Sequence, residues 1–491
     1  MDTIEESELV DESESDVEYE SVDEYESVDE PEPVDERNED GDNGRQTTSV
    51  VLQKLVSIVD EDEKPGNAED PGNETVADAS KPAKDGPNEL AISSKMTIPH
   101  RRDGVVFMGI LGTYRLVAAV RLNPSLSSED EIENERKLLC ESDTHANIIR
   151  YYGLKKVDNF SYLCLERWVC CLDDLTRFAK KKLQEEPDSL DEIIDGQLWT
   201  EIGIPAPLMI QLMRNVVSAV NHLHSKQIIH RNLTPENVLI CKEGKKIVAK
   251  LSGLGKSAEI GFTSKNFGDA NWRAPEQLKN SKESDSTDLF QLGCILFYAF
   301  TGHHPYGDEK ARGNNIRQSS RVKVITSLLK NCEAACLIAN LLERNQGSCS
   351  ITASDAVQHP LFWDSDRRRN FLRDSTEYIM NLDASAQVIK DLHARVGWNY
   401  AGWNKLLDAD LVSHMVAMGG NYNYNYVKDL LRFIRNVISH YREFPSEIQA
   451  IVSDGVEQYF ALKLERLLMD VYTAISKNCK GNATFRAYFL P

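Results

Sequence analysis

His230–Arg231–Asn232–Leu233–Thr234–Pro235–Glu236–Asn237 is followed, in order, by Trp272–Arg273–Ala274–Pro275–Glu276 and by STDLFQLGCILF over residues 286–297. Each segment is weak alone; their order and spacing carry the reading of the fold. Outward from them, Val105–Val106–Phe107 and Leu116–Val117–Ala118–Ala119–Val120 are short and rich in β-branched residues, which predicts strands. Residues Glu129 to Glu141 predict a charged helix, and beyond about Pro207 the pattern predicts helices over Leu208–Leu223, Thr287–Phe300 and Val324–Leu342. A strand-rich small lobe ahead of a helical large lobe is an α+β plan. His359–Pro360 closes this region, and residues 361–491 read as an almost wholly helical block with no proline between Pro360 and Pro445. No solenoid period is visible.

The chain has 491 residues, room for about three domains. Residues 1–95 hold 31 Asp and Glu against 7 Lys and Arg, a net of −24; with the whole chain at −22, the other 396 residues carry about +2. The acidity belongs to the N-terminal stretch, and a near-neutral body does not repel RNA. Residues 14–36, ESDVEYESVDEYESVDEPEPVDE, repeat a Glu-Ser-Val-Asp unit. Self-repulsion and low apolar content predict a disordered acidic tail over 1–95, either a solubilising arm or one that competes with RNA for a basic surface. Inside it, Val50 to Val59 (VVLQKLVSIV) forms a short apolar patch that could dock on a partner. Ten cysteines are scattered without a CxxC pair. Cys332 and Cys336 lie one helical turn apart, but with no second pair and no nearby His the expectation is buried helix thiols, a reducing compartment and no metal site. The opening MDTIEESELV lacks the apolar core of a secretory signal, and the longest apolar stretch, Leu289 to Phe300 interrupted by Gln291, is too short to span a bilayer. A soluble chain, cytoplasmic or nuclear, is expected.

From Ser94 to His359 the chain resembles a protein kinase. Residues 230–237 are similar to the catalytic loop, 272–276 to the Ala-Pro-Glu segment, and Asp288 and Gly293 to the start of the long buried helix of the large lobe. Phosphoryl transfer needs a Lys on the third strand to hold phosphates, an Asp to accept the hydroxyl proton and an Asp to hold Mg²⁺. The resemblance puts Val120 at the Lys position, with Arg121 facing the other side of the strand. It puts Asn232, a neutral amide, at the base and Gly253 at the metal-binding Asp. The glycine-rich loop is reduced to Gly104 in HRRDGVVFMG, leaving few backbone N–H groups to cradle phosphate. Glu135 and Asn237 are present, but the Lys and the metal-binding Asp that such residues work with in a kinase are not. The implication is a pseudokinase with no cofactor and with ATP binding weak or absent.

Within the C-terminal block, HPLFWDSDRRRNFLRDSTEYI (359–379) and VKDLLRFIRNVISHYREFP (427–445) are similar to the kinase-extension nuclease domain of the inositol-requiring unfolded-protein sensor and of ribonuclease L. ESDTHANIIRYYG (141–153) also resembles the sensor. The likeness covers about 94–491. In this family a kinase lobe dimerises, brings two nuclease blocks together, and RNA is cleaved without a metal. The domain plan is therefore a tail over 1–95, a kinase-like domain over 96–360 and a small all-α nuclease domain over 361–491.

RNA cleavage by its own 2′-OH needs a base, an acid for the leaving oxygen, and cationic or amide donors on the phosphate. His440 is of the residue type that can serve as acid or as base. Arg435 grips phosphate oxygens bidentately, and Asn436, four residues before His440, shares its helical face. Tyr422 matches the family's tyrosine, which would assist at the nucleophile, and Asp429 would orient the Arg435 region. Each type has a bland role too: a lone helical His is ordinarily a surface or core residue, and the tyrosines of NYNYNY (421–426) could form a stacking surface or a flexible loop. Against the family pattern, Val437 replaces a basic residue, and NYNYNY replaces a glycine-containing loop. His359, His393, His414 and Arg367–Arg368–Arg369 read as structural or surface residues, the arginines as a solvated helix face. The expected function is a metal-independent endoribonuclease acting on RNA as a homodimer, or as a heterodimer with a related chain, in stress signalling like the unfolded protein response. The alternatives are a catalytically silent partner of an active relative and a serine/threonine kinase of altered chemistry.

Overall fold

The computed structural model describes residues 89–98, 105–123, 128–182, 198–201, 204–261, 268–279, 282–318, 328–343, 351–383, 385–394, 400–453 and 455–490. Most of the predicted tail, Gly104, Cys349 and residues 324–327 of a predicted helix lie outside them.

The small lobe is an antiparallel five-stranded sheet in the order β1-β2-β3-β5-β4, formed by Leu90–Ile98 (β1), Val106–Leu111 (β2), Arg115–Arg121 (β3), Tyr151–Val157 (β4) and Phe160–Leu165 (β5). Alternation along β3 gives it two faces. Ala118 and Val120 join the main core, while Val117 and Ala119 pack with Tyr162 and Cys164 on the opposite face. The predicted charged helix spans Glu129–Glu141 and starts in a capping box, Ser128 Oγ accepting from the Glu131 N–H at 3.2 Å.

In the large lobe, the helix Pro207–Ser225 starts on a proline and buries Met209, Leu212, Met213, Val216, Val217, Val220 and Leu223, a helical stripe. Asp285–Thr301 is buried on nearly every side, as a helix apolar all round must be. The helix predicted over Val324–Leu342 is shorter, Cys332–Leu342. Asn331 accepts the Ala334 N–H at 2.8 Å, and this local cap starts the helix where periodicity alone would have carried it further back.

The main core runs to Phe362; a second core begins at Trp363 and holds the helices Ser365–Met380, Val427–His440 and Leu467–Cys479. Polar contacts join them. The arginine triplet is not the solvated face expected: Arg368 makes two hydrogen bonds to Glu333, at 2.6 and 2.5 Å, and donates to the carbonyls of Pro360 and Trp363. Arg367 donates to Gln358 Oε1 and to the carbonyls of Ala487 and Tyr488. Only Arg369, paired with Asp366, stays on an exposed face. The reason is position: these residues open the first helix after the junction, so its first turn packs back on the large lobe. His359 is structural, its Nδ1 accepting the Leu361 N–H at 3.2 Å. His393 lies tilted against the Tyr426 ring and His414 meets the edge of Phe444.

Cys332 is only partly buried and donates to the Glu465 carbonyl. Among the described residues, no cysteine is disulfide-bonded, no group of His, Cys, Asp and Glu is arranged to hold a metal, and no helix is long and apolar enough to cross a membrane.

Candidate active site

Two candidate sites follow from the two cores. In the kinase-like site, the backbone of 230–232 is held by Asp288, whose carboxylate accepts the N–H groups of His230 (2.7 Å) and Arg231 (2.8 Å) and bonds His224 Nε2 at 2.8 Å. Burial alone would raise the Asp288 carboxyl; the bonds and charge from His224, with the backbone donors, hold it below the usual carboxylate range. Arg231, 2% exposed, is committed to Glu283 by a bidentate pair at 2.8 and 3.0 Å.

The catalytic positions are not merely changed; they are filled. Asn232 Oδ1 accepts the Asp269 N–H at 2.9 Å, so the amide at the base position holds backbone. Gly253 has φ 76, and a Cβ there would fall 2.8 Å from Asn237 Oδ1. Asn237 Nδ2 donates to the Asn232 carbonyl at 2.8 Å. Asn134 donates to the carbonyls of Gly255 (3.0 Å) and Ser257 (2.8 Å), tying the Glu129–Glu141 helix to this segment, with the Glu135 carboxylate beside Gly255. Val120 packs on the main core, and Arg121 lies on the other face of β3, over the rings of Phe107 and Phe160.

The second site is built on the helix Val427–His440. Val427, Leu430, Leu431, Phe433, Ile434 and Val437 bury one stripe, which leaves Asp429, Arg432, Arg435 and Asn436 outside the core. Val437 is fully buried, so nothing at that position reaches a ligand. Asn436 Nδ2 donates to the Tyr422 hydroxyl at 3.0 Å, and Asn436 Oδ1 accepts from Arg435 Nη2 at 2.8 Å and Nε at 3.2 Å. These bonds fix which end of the amide faces which partner. Three predicted residues thus meet. His440 closes the same helix and is half-exposed, its Nδ1 3.1 Å from Glu443 Oε2.

The tyrosines of the NYNYNY segment are anchored on neighbouring rings. Tyr422 is 8% exposed against Trp403 and Phe433, Tyr424 meets Trp403, and Tyr426 meets His393. Asp429 does not orient Arg435. It pairs with Arg432 at 2.9 Å and accepts the Asn423 N–H at 2.8 Å, because its place in the first turn faces the preceding loop.

A protein kinase domain model matches residues 102–362, and a Ribonuclease 2-5A model matches 368–489. The chain is 33% identical to the "Inactive serine/threonine-protein kinase/endoribonuclease IRE1-like" of Arabidopsis thaliana, over 82% of this chain and 79% of that protein. The chain belongs to the IRE1 kinase/endoribonuclease family. It is also 36% identical to the Arabidopsis thaliana "Serine/threonine-protein kinase/endoribonuclease IRE1a", over 82% of this chain and 50% of that protein. A further IRE1 relative, the "Sensor for unfolded proteins in the ER ire1" of Schizosaccharomyces pombe, is 28% identical over 73% of this chain and 35% of its own length. The chain spans about half the length of IRE1a.

Two residues of this candidate site carry no mark in the sequence reading above. Gly420 packs flat under Tyr422: a Cβ there would lie 2.3 Å from the ring. Arg432 places its guanidinium 5.0 Å from the Tyr422 ring centroid and donates to the Asn421 carbonyl. The Gly419–Gly420 pair ahead of NYNYNY was a usable signal for a close approach. Nothing in a single sequence marked Arg432 above its neighbours.

Proposed function

We propose that this chain is an endoribonuclease that cleaves RNA by attack of the 2′-hydroxyl without a metal, and that its kinase-like domain serves as a dimerisation and regulatory platform. The observation that carries this reading is the Arg435–Asn436–Tyr422 hydrogen-bonded trio one helical turn from His440. In that arrangement Tyr422 assists at the 2′-hydroxyl, His440 protonates the 5′ leaving oxygen, and Arg435 carries charge developing on the phosphate. Because Tyr422 accepts from Asn436, its O–H remains a hydrogen-bond donor toward the reacting oxygens, and the 2′-hydroxyl proton passes to water. The names of the relatives, "endoribonuclease" and "Sensor for unfolded proteins in the ER", support RNA as substrate and stress signalling as the setting. The filled kinase positions support weak or absent ATP binding and little phosphoryl transfer. The active form is a homodimer or a heterodimer with a related chain.

The test is cleavage of a stem-loop RNA in EDTA. A 2′,3′-cyclic phosphate product, resistance of a 2′-deoxy substrate, and a rate rising faster than linearly with protein concentration are expected. A metal requirement overturns the reading. A second reading, a silent partner of an active relative, is favoured by one feature: His440 is engaged by Glu443 and makes no hydrogen bond to the trio. It prevails if the chain cuts nothing even when forced to dimerise.

A further inference from the structure

The Arg432 side chain touches two parts of one loop and reaches a third through Asp429. Its guanidinium lies over the Tyr422 ring, 5.0 Å from the centroid. It donates to the carbonyl of Asn421, the residue before Tyr422. It also pairs with Asp429 at 2.9 Å, and the other oxygen of that carboxylate takes the N–H of Asn423, the residue after Tyr422, at 2.8 Å. The Asp429–Arg432 pair therefore grips the backbone on both sides of Tyr422 while the cation caps the ring's face. Phe433 stands against the ring at 5.3 Å and Trp403 at 6.1 Å, and Gly420 leaves no room for a side chain beneath it. In this box the phenol can hardly swing, and its hydroxyl is delivered to Asn436.

We infer that Arg432 is a positioning residue of the candidate nuclease site, fixing the Tyr422 hydroxyl through the ring and through both neighbouring peptide groups. The inference rests on the nuclease reading above. A flat cation suits this role. Nη2 alone meets both the Asp429 carboxylate and the Asn421 carbonyl, while the guanidinium plane lies over the phenol. A lysine supplies the charge but not the flat cation. Misplacing a reacting group by about 1 Å costs up to about a hundredfold in rate, so losing the clamp slows chemistry without removing any atom from the reaction.

The experiment is a double-mutant cycle on the full-length chain, using single-turnover cleavage of a fluorescein-labelled stem-loop RNA, with RNA affinity and thermal unfolding measured on every variant. Arg432→Gln is expected to slow cleavage about tenfold or more while affinity changes little. In the Tyr422→Phe background, where the ring remains but the hydroxyl is gone, the same change is expected to cost nothing further. Arg432→Lys should recover part of the lost rate, and it carries the cycle if the glutamine variant does not fold. If the Arg432 penalty persists undiminished in the Tyr422→Phe background, Arg432 acts on the RNA or the fold, and the assignment is overturned. A lysine as slow as glutamine overturns the part that rests on the cation over the ring. A wild-type chain that cuts no RNA overturns the nuclease reading itself, a result distinct from a cycle that adds.

Discussion

Asn436 Nδ2 donates to the Tyr422 hydroxyl at 3.0 Å, joining a helix to a loop residue fourteen positions earlier. The bond commits the phenol oxygen as an acceptor, and Arg435 holds the other end of the amide. Tyr422→Phe removes the hydroxyl and leaves the packing against Trp403 and Phe433. Cleavage is expected to fall about a hundredfold with little change in melting temperature. His440→Ala should cost a similar factor and Arg435→Ala a comparable one, while Asn436→Ala, losing only orientation, should cost less. Single-turnover rates beside RNA affinities decide this. A Tyr422/His440 double variant that still cuts at the wild-type rate would exclude the mechanism.

The kinase-like site yields a prediction about repair. Restoring an acidic residue at one position, Gly253→Asp, should not create a Mg²⁺ site. The new Cβ would meet Asn237 Oδ1 at 2.8 Å, on a backbone at φ 76 that side chains rarely adopt. The expected result is a destabilised chain, by about 1–3 kcal/mol, with no added melting shift from ATP and Mg²⁺. Wild-type protein should likewise show no Mg²⁺-dependent shift with ATP. A large Mg²⁺-requiring stabilisation in wild type would overturn the pseudokinase reading.

What the sequence made legible follows from what is local. The helix Glu129–Glu141 was readable to the residue because Ser128 and Glu131 form a capping box around it. The two-lobed plan was readable because three ordered segments marked it. Tyr422, Arg435 and Asn436 were named through a family pattern, and their convergence depends on a loop folding back on a helix, which no local signal states. Asp429 was given the wrong partner because spacing along a helix says which residues share a face, while the loop lying over that face decides which bonds form. The arginine triplet was misread for the same reason: charge alone suggests solvent, and Glu333 lies more than thirty positions away.

Arg368 and Glu333 couple the two cores, and their side chains are 17% and 10% exposed. Arg368→Ala leaves a carboxylate poorly paired at the junction, and breaking such a pair costs about 3–5 kcal/mol when fully buried; the residual exposure here argues for the lower end. Chemical denaturation should show the midpoint moving down. Arg368→Met with Glu333→Leu, removing both charges, should recover most of the loss. A double variant as unstable as the single would mean the carbonyl bonds to Pro360 and Trp363, and not the ion pair, hold the junction.

His359 makes the same junction sensitive to acid. The imidazole is 1% exposed, accepts the Leu361 N–H through Nδ1 and faces the Tyr472 ring from the nuclease block. Burial, with the positive Arg368 nearby, pushes its pKa down to about 3. In the unfolded chain an ordinary His takes its proton near pH 6.5, about the usual value. Between those two values the unfolded state binds more protons than the folded one, so this residue's contribution is fully present above about pH 6.5 and is lost as pH falls toward about 3. The slope from one such group is at most about 1.4 kcal/mol per pH unit. His359→Asn keeps a side-chain acceptor for the Leu361 N–H and cannot take the proton. Its melting temperature should therefore fall less steeply with acid than that of wild type, while the two should be much closer in slope above pH 7. Equal slopes for the two proteins across pH 6 to 4 would show that other groups, Asp288 among them, carry the acid sensitivity.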